Sequence, residues 1–480
     1  MLAGMQFFVR LKSHIEYEKH NKNRRLEQPL FLVHNQNRVF AIVSEYRLMH
    51  IHFIGIGGIG VSALAKYYLS AGATVSGSDL CSSEIITELE RLHAKITIGV
   101  HKTSRLPKRT DKVIYTAAIP ASNPELREAR KSKIVVQSYA QAVGELTQKY
   151  RTITVSGSHG KSTTTALLGI VLTEGYLDPT VIVGTKVKEF GNTNFRKGYG
   201  SHLVLEADEW NKSFLEYSPS LAIVTNIDAE HLDTYGSVEG VENAFREYLR
   251  KVPRGGFIVA NADDARLAKI AKKFRAKVIW YSARSDPEAK LIRKIIKIPG
   301  EHNVANALAV LKAARKLGVH EPLILQAISH FRGTWRRFEF AGMSDGAFIF
   351  SDYGHHPKEI MATLQGARSQ FPFRRIWCVY QPHQYQRLSY LWNDFVEAFD
   401  GADRICLLPV YSVAGREKKG DKAKANSKKL SEALQARGKN VSYAASFDEA
   451  EHLIRSHTRK GDVVFFMGAG DIDGLANRMV

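Results

Sequence analysis

From residue 50 onward, apolar residues come in short runs. Each run ends in a glycine-rich or polar turn and is followed by a longer stretch with helical spacing. That alternation predicts parallel sheets with crossover helices. In the first unit, 50–54, 73–78 and 113–116 read as strands, with a turn at 55–60 and a helix at 61–71. A charged linker is expected at 148–151. A second unit follows, with strands at 152–156, 202–205, 221–225, 257–260 and 277–280 and helices at 162–174 and 302–317. A connection at 331–337 leads to a third unit with strands at 347–350, 376–380, 405–410, 441–444 and 463–467. Its helices are expected at 357–369, 388–399, 428–437 and 447–456, and the polar, basic stretch 418–429 reads as a surface loop. The pattern is α/β in three domains: a Rossmann-like unit at 50–149, a central α/β unit at 150–331 and a Rossmann-like unit at 332–480. Residues 1–49 form a basic extension of no assigned role.

Composition narrows this picture. The chain has 480 residues, enough for two to four domains. Its 44% hydrophobic content excludes a wholly disordered chain. No uncharged apolar run reaches the roughly 18 residues of a membrane span. The formal net charge is +20. Eight Lys/Arg against four Asp/Glu in 1–49 account for only +4 of it. The rest is spread through the body, and no zinc-finger, RNA-sheet or basic-helix pattern accompanies it, so no nucleic-acid partner is expected. Cys81, Cys378 and Cys406 form no paired motif, which fits a reducing, cytoplasmic setting.

Candidate chemistry sits at the predicted strand ends. Gly55-x-Gly57-x-x-Gly60 lies between a strand and a helix, with Asp79 ending the next strand. Glycines there let backbone N–H groups approach a diphosphate, and the acid suits a ribose hydroxyl. The stretch from Gly157 through Ser158, His159, Gly160, Lys161 and Ser162 to Thr163 again joins a strand to a helix. Such a loop cradles phosphates; its lysine meets the β- and γ-phosphates and a hydroxyl at 162 or 163 ligates Mg²⁺. Its first glycine departs from the general phosphate-loop spacing, where Val155 stands. Glu206, at a neighbouring strand tip, is the first choice for a second metal ligand, with Asp208 and Glu209 open as solvated turn charges. His231 follows another tip, where it would ligate a cation or orient a phosphate. Asn303 lies at a helix start. Three further polar tips, Asp352–Pro357, 381–387 and 468–471, share one predicted crevice.

The segments GSHGKSTTT, EADE, TNIDAEHLD, GEHNVANALA and WRRFE, in this order, resemble the Mur ligases of peptidoglycan synthesis. The resemblance runs from about residue 50 to the end. GIGGIGVSALA, DYGHHPKEI, QPHQYQR and GAGDI are similar to the branch that joins L-alanine to UDP-N-acetylmuramate. The murein-tripeptide recycling branch is the alternative, with a nicotinamide-dependent oxidoreductase behind it. The resemblance implies an ATP- and Mg²⁺-dependent ligase in which ATP converts the muramyl carboxylate to an acyl phosphate that the amino acid's amine then attacks. It implies that Gly157–Thr163 bind ATP phosphates, and that Ser162 or Thr163, Glu206 and His231 serve the metals. Asn303 would meet adenine and Asp352 the ribose, while Arg337 would reach the γ-phosphate or acyl phosphate. Tyr353, His355 and Arg387 would place L-alanine. Gly55, Gly57, Gly58 and Gly60 with Asp79 would bind the UDP part, and Asn192 and Asn194 the muramyl end. A monomer or weak dimer, and domain closure over substrates, are also implied. Departures from the family pattern are Ser158 and Ser162 in place of threonines, Trp210-Asn211-Lys212 after Glu209, and no lysine suited to carbamylation between 236 and 252 apart from Lys251, to which no role is given.

Overall fold

Three largely parallel sheets follow one another along the chain. The computed structural model describes residues 45–274, 277–412 and 420–480. The first sheet contains β1 (His50–Ile54), β2 (Thr74–Asp79), β3 (Lys95–Ile98), β4 (Lys112–Tyr115) and β5 (Val135–Ser138). Its order is β3-β2-β1-β4-β5, all parallel. The order reverses between β1 and β4, so the Gly55–Gly60 turn after β1 opens on the crevice where such sheets take ligands.

The second sheet contains β6 (Arg151–Ser156), β7 (Thr180–Val187), β8 (Thr193–Arg196), β9 (His202–Glu206), β10 (Leu221–Val224), β11 (Phe257–Asn261) and β12 (Lys277–Tyr281). The order is β12-β11-β10-β6-β9-β7-β8, with β8 antiparallel to β7. Central β6 thus lies between β10 and β9, and their tips flank the loop that follows it. The helix Lys161–Glu174 leaves that loop and is buried from Thr163 to Leu172. It packs on the sheet beneath the helices Glu301–Lys316 and Glu321–His330, which is why it is buried all round.

The third sheet contains β13 (Glu339–Ser344), β14 (Ala347–Asp352), β15 (Ile376–Tyr380), β16 (Arg404–Leu407), β17 (Val441–Tyr443) and β18 (Val463–Met467). Its order is β13-β14-β18-β15-β16-β17, with β13 antiparallel to β14. The ends of β14, β18 and β15 are therefore neighbours, and the three polar tips share one rim.

Several expectations need correction. No linker occupies 148–151: the helix Tyr139–Lys149 runs into β6 with only the buried Tyr150 between them. The helix expected at 388–399 is two short helices, Tyr385–Tyr390 and Trp392–Glu397, broken at Leu391. The stretch 418–429 is not a loop throughout. Residues 418 and 419 lie outside the described ones, Asp421–Lys424 is helical, and Asn426 caps the helix Ser427–Ala436 by accepting the Lys429 N–H at 3.1 Å. Residues 1–44 also lie outside the described ones. The last residues of the expected extension belong to the first core, because Tyr46 is buried against Tyr67 and Tyr68 and bonds Lys149 Nζ at 2.7 Å.

The first two units interlock beyond Tyr150. Lys66 Nζ, buried, donates to Thr193 Oγ1 and Asn194 Oδ1 at 2.7 Å each and pairs with Glu88 at 2.6 Å. The third unit is joined through 331–338, where Arg336 and Phe338 take left-handed φ values of 56° and 50°. Among the described residues no helix is long and apolar enough to cross a membrane.

Candidate active site

The loop after β6 is built by glycines and by the tip of β10. A Cβ on Gly157 (φ +131°) would lie 2.1 Å from Thr225 Oγ1, and one on Gly160 (φ +83°) 2.6 Å from Asn306 Oδ1. Both the conformation and the space therefore demand glycine. Thr225 Oγ1 donates to the His159 carbonyl at 2.6 Å, and Asn226 Oδ1 accepts the His159 N–H at 2.8 Å. Ser158 Oγ accepts the Asp228 N–H at 2.8 Å. The loop is thus held open at the start of the helix Lys161–Glu174, where free N–H groups favour anions.

Lys161 Nζ sits on the Gly157 carbonyl at 2.8 Å and on both Glu209 carboxylate oxygens at 2.9 and 3.1 Å. Burial works to lower its pKa, but Glu209, Asp208 and Glu206 outweigh it and hold the ammonium well above its ordinary range. Glu209 is not a solvated turn charge: its side chain is fully buried, whereas Asp208 is exposed. Glu206 accepts from Ser162 Oγ at 2.9 Å and from the Gly184 N–H at 2.7 Å. Burial pushes its pKa up, against the pull of Lys161.

His231, left-handed at φ 54°, faces Glu209 at 3.8 Å and Asp208 at 4.0 Å. Asp208, Glu209 and His231 bring ligand atoms within 4.8 Å of one another. Carboxylates with the Ser162 hydroxyl are oxygen donors, a set that suits Mg²⁺.

In the third unit, Asp352 accepts the Phe338 and Gly354 N–H groups at 2.8 and 2.7 Å, and burial raises its pKa. Arg336 and Arg337 cover the Tyr353 ring at 5.0 and 5.3 Å. His355 Nδ1 lies 3.1 Å from the Tyr353 carbonyl, and burial with the nearby Arg387 pushes its pKa down to about 4. Arg387 donates to His383 Nδ1 at 3.2 Å and to Glu230 at 3.4 Å. The buried Arg336 pairs with Asp473 at 3.2 Å and donates to the Gly468 carbonyl, tying the connection to the last tip.

Residues of the second and third units meet around His159. Its Nε2 is 3.3 Å from Asp228 and its Nδ1 3.5 Å from Glu359. Burial disfavours the charged ring, but these acids raise its pKa to about 9. Glu359 also faces Arg337 at 3.3 Å and His355 at 3.5 Å, while Lys358 reaches Asp228 at 2.6 Å. Sequence reading missed Asp228, Glu230, Arg336, Lys358 and Glu359. All five lie inside the quoted motifs, Arg336 in WRRFE, and for the other four the signal available was two motifs, TNIDAEHLD and DYGHHPKEI, that each mix acids with histidine or lysine.

Around the Gly55–Gly60 turn, Asp79 accepts the Gly57 N–H at 2.8 Å and the Leu80 N–H at 2.7 Å, so its carboxylate fixes the glycine loop. Asn194 is buried and donates to Ser62 at 2.9 Å on the helix of that turn, whereas Asn192 is exposed in the β7–β8 hairpin at φ 59°. The structure does not bring these two side chains together. Asn303 donates to the Pro299 carbonyl at 2.7 Å and accepts from Asn306, the residue behind Gly160.

Comparison with known proteins agrees with this layout. Residues 50–151 match the Mur ligase family catalytic domain, 155–314 the Mur ligase middle domain and 336–470 the Mur ligase glutamate ligase domain. The chain is 38% identical over 445 residues to a UDP-N-acetylmuramate–L-alanine ligase of Clostridium acetobutylicum, covering 88% of this chain and 95% of that one. It is 38% identical over 449 residues to the enzyme of that name from Caldanaerobacter subterraneus, covering 89% and 96%. Among solved structures, a UDP-N-acetylmuramate–alanine ligase of Thermotoga maritima superposes with a TM-score of 0.76 at 28% identity, covering 90% of this chain and 98% of that one. A three-part α/β architecture whose glycine-lysine loop after β6 meets the third unit's tips, matched along nearly its whole length by these relatives, places the chain in the Mur ligase family.

Proposed function

We propose that this chain joins L-alanine to the muramyl carboxylate of UDP-N-acetylmuramate, with ATP converted to ADP and phosphate. A carboxylate is a poor electrophile until one oxygen becomes a phosphate leaving group. The first unit, 50–149, takes the UDP part on the Gly55, Gly57, Gly58 and Gly60 turn. The central unit, 150–331, takes ATP on the Gly157–Thr163 loop, with Asn303 toward the base. The third unit, 332–480, brings Asp352 to the ribose and Tyr353, His355 and Arg387 to the amino acid.

Lys161 supplies a fixed positive charge to the transferring phosphoryl group, exchanging part of its contact with Glu209 for phosphate oxygens. Mg²⁺, when bound, would neutralise charge on the triphosphate; we assign Ser162, Thr163, Glu206 and His231 to hold it, with Asp208 and Glu209 beside them. Arg337 is assigned to steady the departing phosphate. His355 stays neutral near pH 7. With Nδ1–H donated to the Tyr353 carbonyl, its Nε2 is left to accept a proton or hydrogen bond from the incoming amine.

The observation that carries this reading is the meeting of the phosphate loop and the amino-acid tip at His159 and Glu359, on a chain with 38% identity to ligases of this name. The test is a panel of amino acids in a phosphate-release assay with UDP-N-acetylmuramate, ATP and Mg²⁺. Release that depends on L-alanine is expected. Release with a murein tripeptide and none with L-alanine would overturn the proposal.

A further inference from the structure

We propose that Glu359 is a positioning residue that couples the filled phosphate loop to the placement of the amino acid by His355; this rests on the functional reading above. Glu359 is the third residue of the helix Pro357–Gln370. Its Oε2 accepts the N–H groups of His355 and His356 at 3.1 and 3.3 Å, closing the capping box at the helix start. Its Oε1 points the other way, toward Arg337 at 3.3 Å and His159 Nδ1 at 3.5 Å.

One carboxylate therefore touches three segments with separate tasks: the phosphate loop, the connection between the units and the tip that carries His355. It is the third unit's ionic contact to the ring of His159, which is otherwise held by Asp228 from its own unit and packed by the His356 ring at 4.9 Å. A cap alone would need only Oε2. The second oxygen is spent on two cations; burial works to raise the pKa of Glu359, but Arg337, His355 and His159 outweigh it and keep the carboxylate ionised well below the usual range.

Phosphate arriving beside Lys161 must compete for His159 and Arg337. Any shift of either cation is transmitted through Glu359 to the two residues whose N–H groups it holds. His355 sits directly on that lever. Glu359 itself need not touch any substrate.

Glu359→Gln separates the two jobs. Its amide oxygen still accepts the His355 and His356 N–H groups, so the helix start and the melting temperature should stay as in the wild type. The charge toward His159 and Arg337 is gone. In the phosphate-release assay the variant should show kcat lowered about 10- to 100-fold and a raised KM for L-alanine. Its affinity for a non-hydrolysable ATP analogue should change less than about threefold, because the loop's own N–H groups and Lys161 remain. Glu359→Asp, which keeps the charge on a shorter stem, should recover part of kcat.

Wild-type kcat and KM in Glu359→Gln at an unchanged melting temperature would reduce the residue to a cap and overturn the inference. A melting temperature that falls in step with activity would do the same. If the wild type itself releases no phosphate with L-alanine, the functional reading fails. The coupling is then judged without turnover: a non-hydrolysable ATP analogue should shift the NMR signals of the His355 imidazole in the wild type and not in Glu359→Gln, and equal shifts in both would overturn it.

Discussion

At the scale of single residues, the site is organised around one lysine among three carboxylates. Lys161 is held charged by Glu209, Asp208 and Glu206 in spite of its burial. Lys161→Ala should lower kcat on the order of 10³-fold, since a fixed charge on the transferring phosphoryl group is lost. Circular dichroism should show the fold retained, and near-normal turnover would remove the role given to it. Gly160→Ala tests the loop itself. With φ at +83° and Asn306 Oδ1 2.6 Å from the new methyl, nucleotide affinity should drop about tenfold or more in a titration with an ATP analogue. Most of the loop was legible in the sequence because glycines, lysine and hydroxyls occupy adjacent positions. Glu209 and Glu359 were not, because what distinguishes them is burial and a partner from a distant segment. No spacing rule encodes that Glu209 turns inward while Asp208, one residue earlier, stays exposed.

At the scale of elements, the buried central strands were readable and the rims were not. Strands β10, β15 and β18 are continuous apolar runs because both their faces are covered, and β1 and β6 keep a buried apolar majority or alternation between polar residues. β3 and β5 are edge strands with mostly exposed or half-buried residues, so only short, interrupted apolar runs announce them. The helix that replaces the expected linker at 148–151 was hidden because its C-terminal turn is polar, which a surface helix end shares with a loop. Tyr46 shows the same limit from the other direction, since nothing local marks it as core. Tyr46→Ala should cost the first unit about 3 kcal/mol, through lost packing on Tyr67 and Tyr68 and the lost Lys149 bond. A lowered melting temperature checks this, and a shift within the scatter of the wild type would count against it.

At the scale of the molecule, the second and third units are held by a cluster of ion pairs around His159. Asp228 and Glu359 face its ring from the two sides, with Lys358 on Asp228, Glu230 close by and the His356 ring 4.9 Å away. Its pKa of about 9 exceeds the ordinary histidine value of about 6.5. The stabilisation it gives to the joined arrangement is complete below about pH 6.5 and is lost as pH rises through about 9. Asp228, Glu230 and Glu359 lie on the opposite side, with lowered pKa values, so their contribution is lost on acidification. The radius of gyration from X-ray scattering should therefore grow as pH is raised from 8 to about 10, and His159→Gln should flatten that rise. An unchanged radius across this range would speak against the cluster as a clasp.

Tyr150 carries a consequence for how the whole chain tolerates change in length. It alone separates the last helical turn of one sheet's unit from the first residue of the next. Slipping two glycines in beside it would shear the first sheet's unit away from the second's, stripping Lys66 of its contacts on Thr193 and Asn194. The same pair of glycines placed at the exposed Arg332 would leave those contacts in place and lengthen the tether of the third unit. Such spacer variants should therefore differ in kind, the former losing affinity for the UDP-linked acid and the latter keeping it while turning over more slowly.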